Sequence, residues 1–242
     1  MTLRLSLMMQ AAASAPFASL DDITGTGGLV VLAPHPDDES LGCGALLRSA
    51  ALASRRVTVI VVTDGCRSHP SSRRVNADAL VRLRASETRA ALKALHPDIA
   101  LLELGYRDCE APEGLAAAAA ACVIARVVDD ICATTLAATW GGDPHIDHVA
   151  TAALARQVLA LRPALRLWSY PVWGRFAPAK SPSPARIMRF DATAHRTAKA
   201  AAIACHRSQM AALIDDDPNG FRMTEAMQTH FIDHPEVYLA DR

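Results

Sequence analysis

Two short stretches of this 242-residue chain concentrate side chains that carry lone pairs. The first is Pro34-His35-Pro36-Asp37-Asp38-Glu39; the second is Asp143-Pro144-His145-Ile146-Asp147-His148. His35 and Asp38 are spaced so that one turn of chain can aim both at a single point. An imidazole nitrogen and a carboxylate oxygen together suit a borderline cation such as zinc. Asp37 lies between them and need not be a ligand, because beside a metal it can act as a base. Each stretch alone has a plainer reading. In the first, proline fixes φ and aspartate caps the following helix; in the second, capping and solvated imidazoles suffice.

The case for chemistry rests on where the surrounding elements put the two stretches. Residues 29–33 are a compact apolar run and read as a buried strand, followed by helical spacing over 38–54. Residues 57–62 are β-branched on both faces, the pattern of a buried parallel strand. Asp64-Gly65 ends that run, and 66–77 read as a loop. A helix over 77–95, a strand over 99–104, a helix over 114–132 and a strand over 134–140 follow. Beyond them the sequence predicts a helix over 146–161, strands over 165–170 and 187–190, a proline-rich surface loop over 174–184 and a helix over 193–205. Repeated strand–helix alternation means an α/β fold. The expectation is a single Rossmann-like domain over 1–242, its sheet mostly parallel with helices on both faces. Residues 1–20 read as a helical lead-in and 215–242 as an irregular tail with one short helix near Met223. In a doubly wound sheet of order 3-2-1-4 the first and fourth strands are neighbours, and the crevice at their carboxyl ends binds ligands. Both His/Asp turns would meet there.

Composition sets the outer limits. Hydrophobic residues make up 51% and aromatic residues 5%, and alanine alone fills 48 positions. So apolar a chain is not disordered, and its alanine favours helices. Net charge is zero, which argues against bulk electrostatic capture of nucleic acid or of an anionic membrane. The six cysteines form no CxxC pair and read as reduced, mostly buried thiols. The N-terminus imitates a signal peptide weakly, with Arg4 before an apolar stretch broken by Gln10, so a cytoplasmic location is expected. The apolar run over 115–125 is too short to cross a bilayer. Gly42-Cys43-Gly44 lacks the nucleotide-loop spacing, and Asp215-Asp216-Asp217 reads as a solvated loop.

At these residues the sequence resembles the LmbE / PIG-L family of zinc-dependent N-deacetylases. The resemblance covers most of the chain in order. It includes 33–39 (the HPDDE turn), Thr63-Asp64-Gly65, the R-x-x-E pair Arg84 and Glu87, 105–108, the H-x-D-H motif at His145–His148, and Lys199 with His206-Arg207-Ser208-Gln209. It implies that His35, Asp38 and His148 hold Zn²⁺, that Asp37 is the general base, and that His145 stabilises the oxyanion or acts as acid. It implies that Asp147 orients an imidazole, and that Arg84 and Asp108 contact a sugar. His206 either reaches the site or packs at a helix end. The family commonly follows Thr-Asp-Gly with an acidic residue. Here Cys66 stands there, followed by Arg67-Ser68-His69, in a loop that would line the substrate crevice. The function this implies is hydrolysis of the acetyl amide of a small N-acetylated sugar or glycoconjugate, with a homo-oligomer allowed. The alternatives are a zinc amidase acting on another acyl amide, or a non-catalytic Rossmann-like binding module.

Overall fold

Apolar, β-branched runs build the centre of this molecule. The computed structural model describes residues 3–177 and 186–240. In chain order the elements are α1 (Leu7–Ala12), β1 (Phe17–Ala18), α2 (Leu20–Thr24), β2 (Gly28–Ala33), α3 (Asp38–Leu52), β3 (Val57–Thr63), α4 (Ala77–Leu95), β4 (Ala100–Tyr106), α5 (Gly114–Asp130), β5 (Ala133–Thr139), α6 (Ile146–Leu161), β6 (Arg166–Tyr170), β7 (Arg186–Phe190), α7 (Arg196–Cys205), α8 (Arg207–Met210), α9 (Glu225–Asp233) and β8 (Glu236–Ala240). Every residue of β2 and β3 is buried, as strands covered on both faces must be.

The eight strands form one sheet in the order β4-β3-β2-β5-β6-β8-β7-β1. The β4-β3-β2-β5 run is the 3-2-1-4 order the crevice argument requires, and all its pairs are parallel. Only β8 runs antiparallel, against β6 and β7. Side chains of β2 alternate between two cores. Leu29, Val31 and Ala33 pack with Leu46 and Leu47 of α3, Leu92 of α4 and Ile203 of α7. Val30 and Leu32 pack on the other face with Ile124 of α5 and Leu154 of α6.

The C-terminal region departs from the expected irregular tail. The short helix expected near Met223 forms over residues 225–233, but Val237, Tyr238 and Leu239 enter the sheet as a buried strand where none was expected. A short Val-Tyr-Leu-Ala run after a proline carries too little pattern to announce a strand, and the partners β6 and β7 supply it. Phe17 and Ala18 likewise pair with β7, inside what reads as a helical lead-in. Asp215–Asp217 is a loop whose first residue is exposed, as expected, but whose other two are bound to the chain after β3. Asp216 accepts from Ser72 Oγ at 2.8 Å and from the Arg73 and Arg74 amides at 2.8 and 3.1 Å, while Asp217 accepts from the Ser71 amide at 2.8 Å. Most of the proline-rich stretch expected as a surface loop, residues 178–184, lies outside the described residues.

Candidate metal centre and active site

The chain leaves β2 through Pro34, whose carbonyl accepts from the Thr63 amide and hydroxyl at the end of β3, both at 2.8 Å. This ties the first His/Asp turn to the carboxyl edge of the sheet. Asp37 then takes φ 130°, a conformation L residues adopt at a cost of about 1–3 kcal/mol. Its side chain does not cap α3. Instead its amide donates to Glu39 Oε2 at 3.0 Å, and Arg84 donates to Pro36 O at 2.6 Å and to Asp37 Oδ2 at 3.3 Å. The strained turn is thus held from both sides and presents Asp37 and Asp38 in different directions.

The second turn follows β5. His145 is the N-cap of α6, its Nδ1 accepting from the Asp147 amide at 3.2 Å. A neutral ring that accepts at Nδ1 carries its proton on Nε2. Burial, together with His35 and His148, lowers the His145 pKa and keeps the ring neutral. Two and three residues further on, past the exposed Ile146, Asp147 is 1% and His148 0% exposed.

Asp38 Oδ2 lies 3.3 Å from His35 Nδ1 and 3.3 Å from His148 Nε2. A tetrahedral zinc with bonds of about 2.0 Å sets its ligand atoms about 3.3 Å apart. His148 Nε2 is buried without a hydrogen-bond partner, so it faces the Asp38 oxygen across a gap that a cation fits. Ring nitrogens of His35, His145 and His148 also converge within 4.8 Å. The outer nitrogens of His35 and His148 are held by carboxylates: His35 Nε2 lies 3.0 Å from Asp147 Oδ2, and His148 Nδ1 lies 2.9 Å from Asp143 Oδ2. Such partners orient ligand imidazoles and make them more basic.

The electrostatics agree. Burial opposes a charge on His35, yet Asp108, Asp147 and Asp38 raise it well above its ordinary value. Burial opposes a charge on His148, yet Asp38 and Asp143 raise it to about 9. The carboxylates here strongly favour positive charge among them. Burial works against ionised Asp38 as well, but His148 and His35 hold its carboxyl well below the usual range. Asp37 behaves oppositely: burial pushes it up to about 7, against the pull of Arg84.

His35, Asp37, Asp38, Arg84, Asp108 and His145 all line one cavity of about 310 Å³. One sequence assignment changes. Cys66 is buried and is not among the residues lining the cavity; its neighbours Arg67 and Ser68 are. Its amide turns inward to Asp64 Oδ1 at 3.0 Å, which points the chain's next two residues outward. Arg84 lines the cavity while its guanidinium donates to Gly65 O, Pro36 O and Asp37 Oδ2. His206 is fully buried beneath the turn, 3.1 Å from Glu39 Oε1, where it steadies the carboxylate that holds Asp37. Asp143 had no role in the sequence reading, although it opens the second cluster. Trp173 and Phe221, in edge contact at 5.3 Å, form an apolar wall of the cavity that sequence spacing does not reveal.

A histidine–carboxylate cation site at the switch point of a parallel sheet, with an unliganded acid beside it, defines the class of metal-assisted hydrolases. Residues 30–159 match the family model described as PIG-L, GlcNAc-PI de-N-acetylase, and the chain belongs to that family. No curated protein matches it significantly. Among solved structures it is similar to a triple mutant of a deacetylase of the teicoplanin biosynthetic pathway, at 21% identity and TM-score 0.69, over 88% of this chain and 96% of that one. It is similar to the N,N'-diacetylchitobiose deacetylase of Pyrococcus horikoshii, at 21% identity and TM-score 0.65, over 96% and 89%. It also resembles the 4-carboxy-2-hydroxymuconate hydratase of Pseudomonas putida KT2440, at 16% identity and TM-score 0.58, over 74% and 78%. The fold therefore carries more than one chemistry, and function must be argued from the site.

Proposed function

We propose that this protein is a zinc-dependent N-deacetylase that hydrolyses the acetyl amide of an N-acetylated sugar or glycoconjugate. The observation that carries the reading is Asp38 Oδ2 at 3.3 Å from both His35 Nδ1 and His148 Nε2, with Asp37 next in chain and not needed as a ligand. His35, Asp38 and His148 would hold the zinc, whose chemistry when bound is to acidify water and polarise an acyl oxygen. Asp37, raised to about 7 by burial, takes the proton of the attacking water at Oδ1 or Oδ2. Arg84 keeps that carboxylate in place through its contact with Oδ2 at 3.3 Å. His145 donates a hydrogen bond from Nε2–H to the oxyanion and keeps its proton, which the neutral ring can do without being charged first. Protonated Asp37 then gives its proton to the leaving amine, yielding free amine and acetate. Asp147 and Asp143 serve by orienting His35 and His148.

Family membership supports the deacetylase reading, and the polar face of the cavity, with Asp108 and Gln209, supports a hydroxylated substrate. The free cysteines of the described chain fit a cytoplasmic location. No helix of the described residues is long and apolar enough to cross a membrane. A second reading keeps the zinc amidase but gives it a larger acyl group, because Trp173, Phe221 and Met223 wall the cavity with apolar surface.

The test is acetate release from N-acetyl sugars, with and without zinc. Chelation abolishes activity and Zn²⁺ restores it. Asp37→Asn retains zinc and loses about 10²–10⁴-fold in turnover, the usual contribution of acid–base catalysis. Loss of zinc from that variant would make Asp37 a ligand. Release of longer acids in preference to acetate would establish the second reading.

A further inference from the structure

We propose that a second cavity, behind the wall of the active site and lined by His69, Asp217, Glu225 and Gln228, binds a protonated amine that also carries hydroxyls, the chemistry of an amino sugar. This cavity, of about 730 Å³, is separate from the one that holds the proposed zinc ligands. Two stretches of chain divide the cavities, joined by the bond from the Phe221 amide to Ser68 O at 2.7 Å. Ser68 and Phe221 face the first cavity, His69 and Arg222 the second, and Met223 both.

His69 supplies the second cavity with a donor. It is 5% exposed, and a run of directed hydrogen bonds fixes where its proton lies. Ser208 gives its hydroxyl proton to Glu87 Oε2 at 2.6 Å. Its oxygen therefore accepts from Gln209 Nε2 at 3.1 Å, and the same amide group donates to Ser68 Oγ at 3.1 Å. Ser68 is left to donate to His69 Nδ1, also at 3.1 Å. A ring that accepts at Nδ1 carries its proton on Nε2, and here Nε2 has no partner among the described residues. Burial keeps the ring neutral by lowering its pKa, against the pull of Asp217. A buried N–H needs an acceptor, and a ligand hydroxyl supplies one.

The charges select the rest of the ligand. Three carboxylates, on Asp215, Asp217 and Glu225, line the cavity against one guanidinium, on Arg222. Arg74 pairs with Asp215, whereas no cation pairs with Asp217 or Glu225 among the described residues. Gln228 donates to Met210 O and Met223 O, each at 2.9 Å, which leaves its Oε1 as an acceptor. Such a lining repels anions and attracts an ammonium group. Among the described residues, His69 and these carboxylates do not converge as a set of metal ligands. The amine released from an N-acetylated sugar belongs to the class that fits, so the cavity would separate product from uncharged substrate. That consequence rests on the proposed deacetylase reading, whereas binding itself does not.

The zinc-loaded protein, labelled with carbon-13 at its methionine methyl groups, is titrated with glucosamine and, separately, with glucose. Met210 lines the second cavity and not the first, so its methyl signal, assigned with Met210→Leu, reports this site. Glucosamine shifts that signal saturably, and glucose binds at least about tenfold more weakly for want of charge-assisted hydrogen bonds. Glu225→Gln weakens glucosamine about threefold, as expected of a charge partly screened by solvent. Ala212→Trp fills the cavity from an exposed position and abolishes the glucosamine shift. Both variants keep the wild-type zinc affinity, since neither residue lines the cavity of the metal centre. No shift with glucosamine, equal binding of the two sugars, or wild-type glucosamine binding by either variant overturns the proposal. Saturable binding by a protein that releases no acetate from N-acetyl sugars leaves the site standing and overturns the deacetylase reading instead.

Discussion

Asp143 shapes the site from outside the cavity. It is wholly buried and collects four hydrogen bonds: from His148 Nδ1 at 2.9 Å, and from the amides of Val172, Trp173 and Gly174 at 3.0, 3.2 and 2.6 Å. One carboxylate thus fixes the tautomer of a proposed zinc ligand and folds the chain that carries the Trp173 wall. The chain is close enough that a Cβ on Gly174 would lie 2.4 Å from Asp143 Oδ1. Asp143→Ala leaves His148 without its orienting partner, and losing such a partner typically weakens metal binding 10–100-fold. Zinc affinity measured by competition with a chelating dye should fall by that factor, with kcat at saturating zinc reduced less. Gly174→Ala, which displaces Asp143 without removing its charge, should weaken zinc in the same direction. Unchanged affinity in both would detach Asp143 from the metal centre.

At the scale of elements, the wall of the cavity is a clamp between two loops. The chain after β3 and the chain between α8 and α9 are joined by the bonds of Asp216 and Asp217 and by Phe221 N to Ser68 O at 2.7 Å. Hydrogen bonds of this kind each contribute about 0.5–1.5 kcal/mol. Asp216→Ala removes three of them and should raise KM several-fold while leaving zinc affinity unchanged; an unchanged KM would show that the loops do not position substrate. Little of this clamp is legible in the sequence, because Asp215–Asp217 and Ser71–Arg74 are polar, lack periodicity and find each other across 140 residues or more. The regular elements are legible for the opposite reason. Val57–Thr63 is buried on both faces, and strand–helix alternation announces a parallel α/β sheet; its order β4-β3-β2-β5, which the crevice argument supposes, is supplied by the structure. The two His/Asp turns could be read for the same reason, since each follows such a strand directly. Arg84 and Glu87 are visible only through the family resemblance, and the structure sets both in the buried stripe of α4 with Leu80, Ala91 and Leu95. What they bind is not visible, since Gly65, Pro36 and Ser208 come from three other segments.

Across the whole molecule, zero net charge conceals a second set of buried charges, away from the metal centre, that joins the C-terminal elements to the core. Glu236 at the start of β8 accepts from Lys199 Nζ at 2.6 Å, from the amides of Ala45 and Leu46 at 2.7 and 3.0 Å, and from Tyr238. Arg175, also fully buried, lies over the Phe231 ring and donates toward His230 Nε2 at 3.4 Å. His230 faces Arg175, Lys199 and the stacked ring of His234. Burial first, then Arg175, His234 and Lys199, lower its pKa to about 3. An unfolded histidine titrates near about 6.5. Above that pH both states are neutral at this residue and its contribution is intact. As pH falls below it, the unfolded chain binds a proton that the folded chain refuses, and stability is lost progressively toward pH 3. His230→Gln keeps an acceptor for Arg175 but cannot titrate. Melting temperature measured from about pH 7.5 down to about pH 5 should therefore fall more steeply for the wild type than for His230→Gln, each with zinc held saturating. Parallel profiles for the two proteins would remove His230 as a source of acid sensitivity, and would place it among the carboxylates and histidines of the metal centre instead.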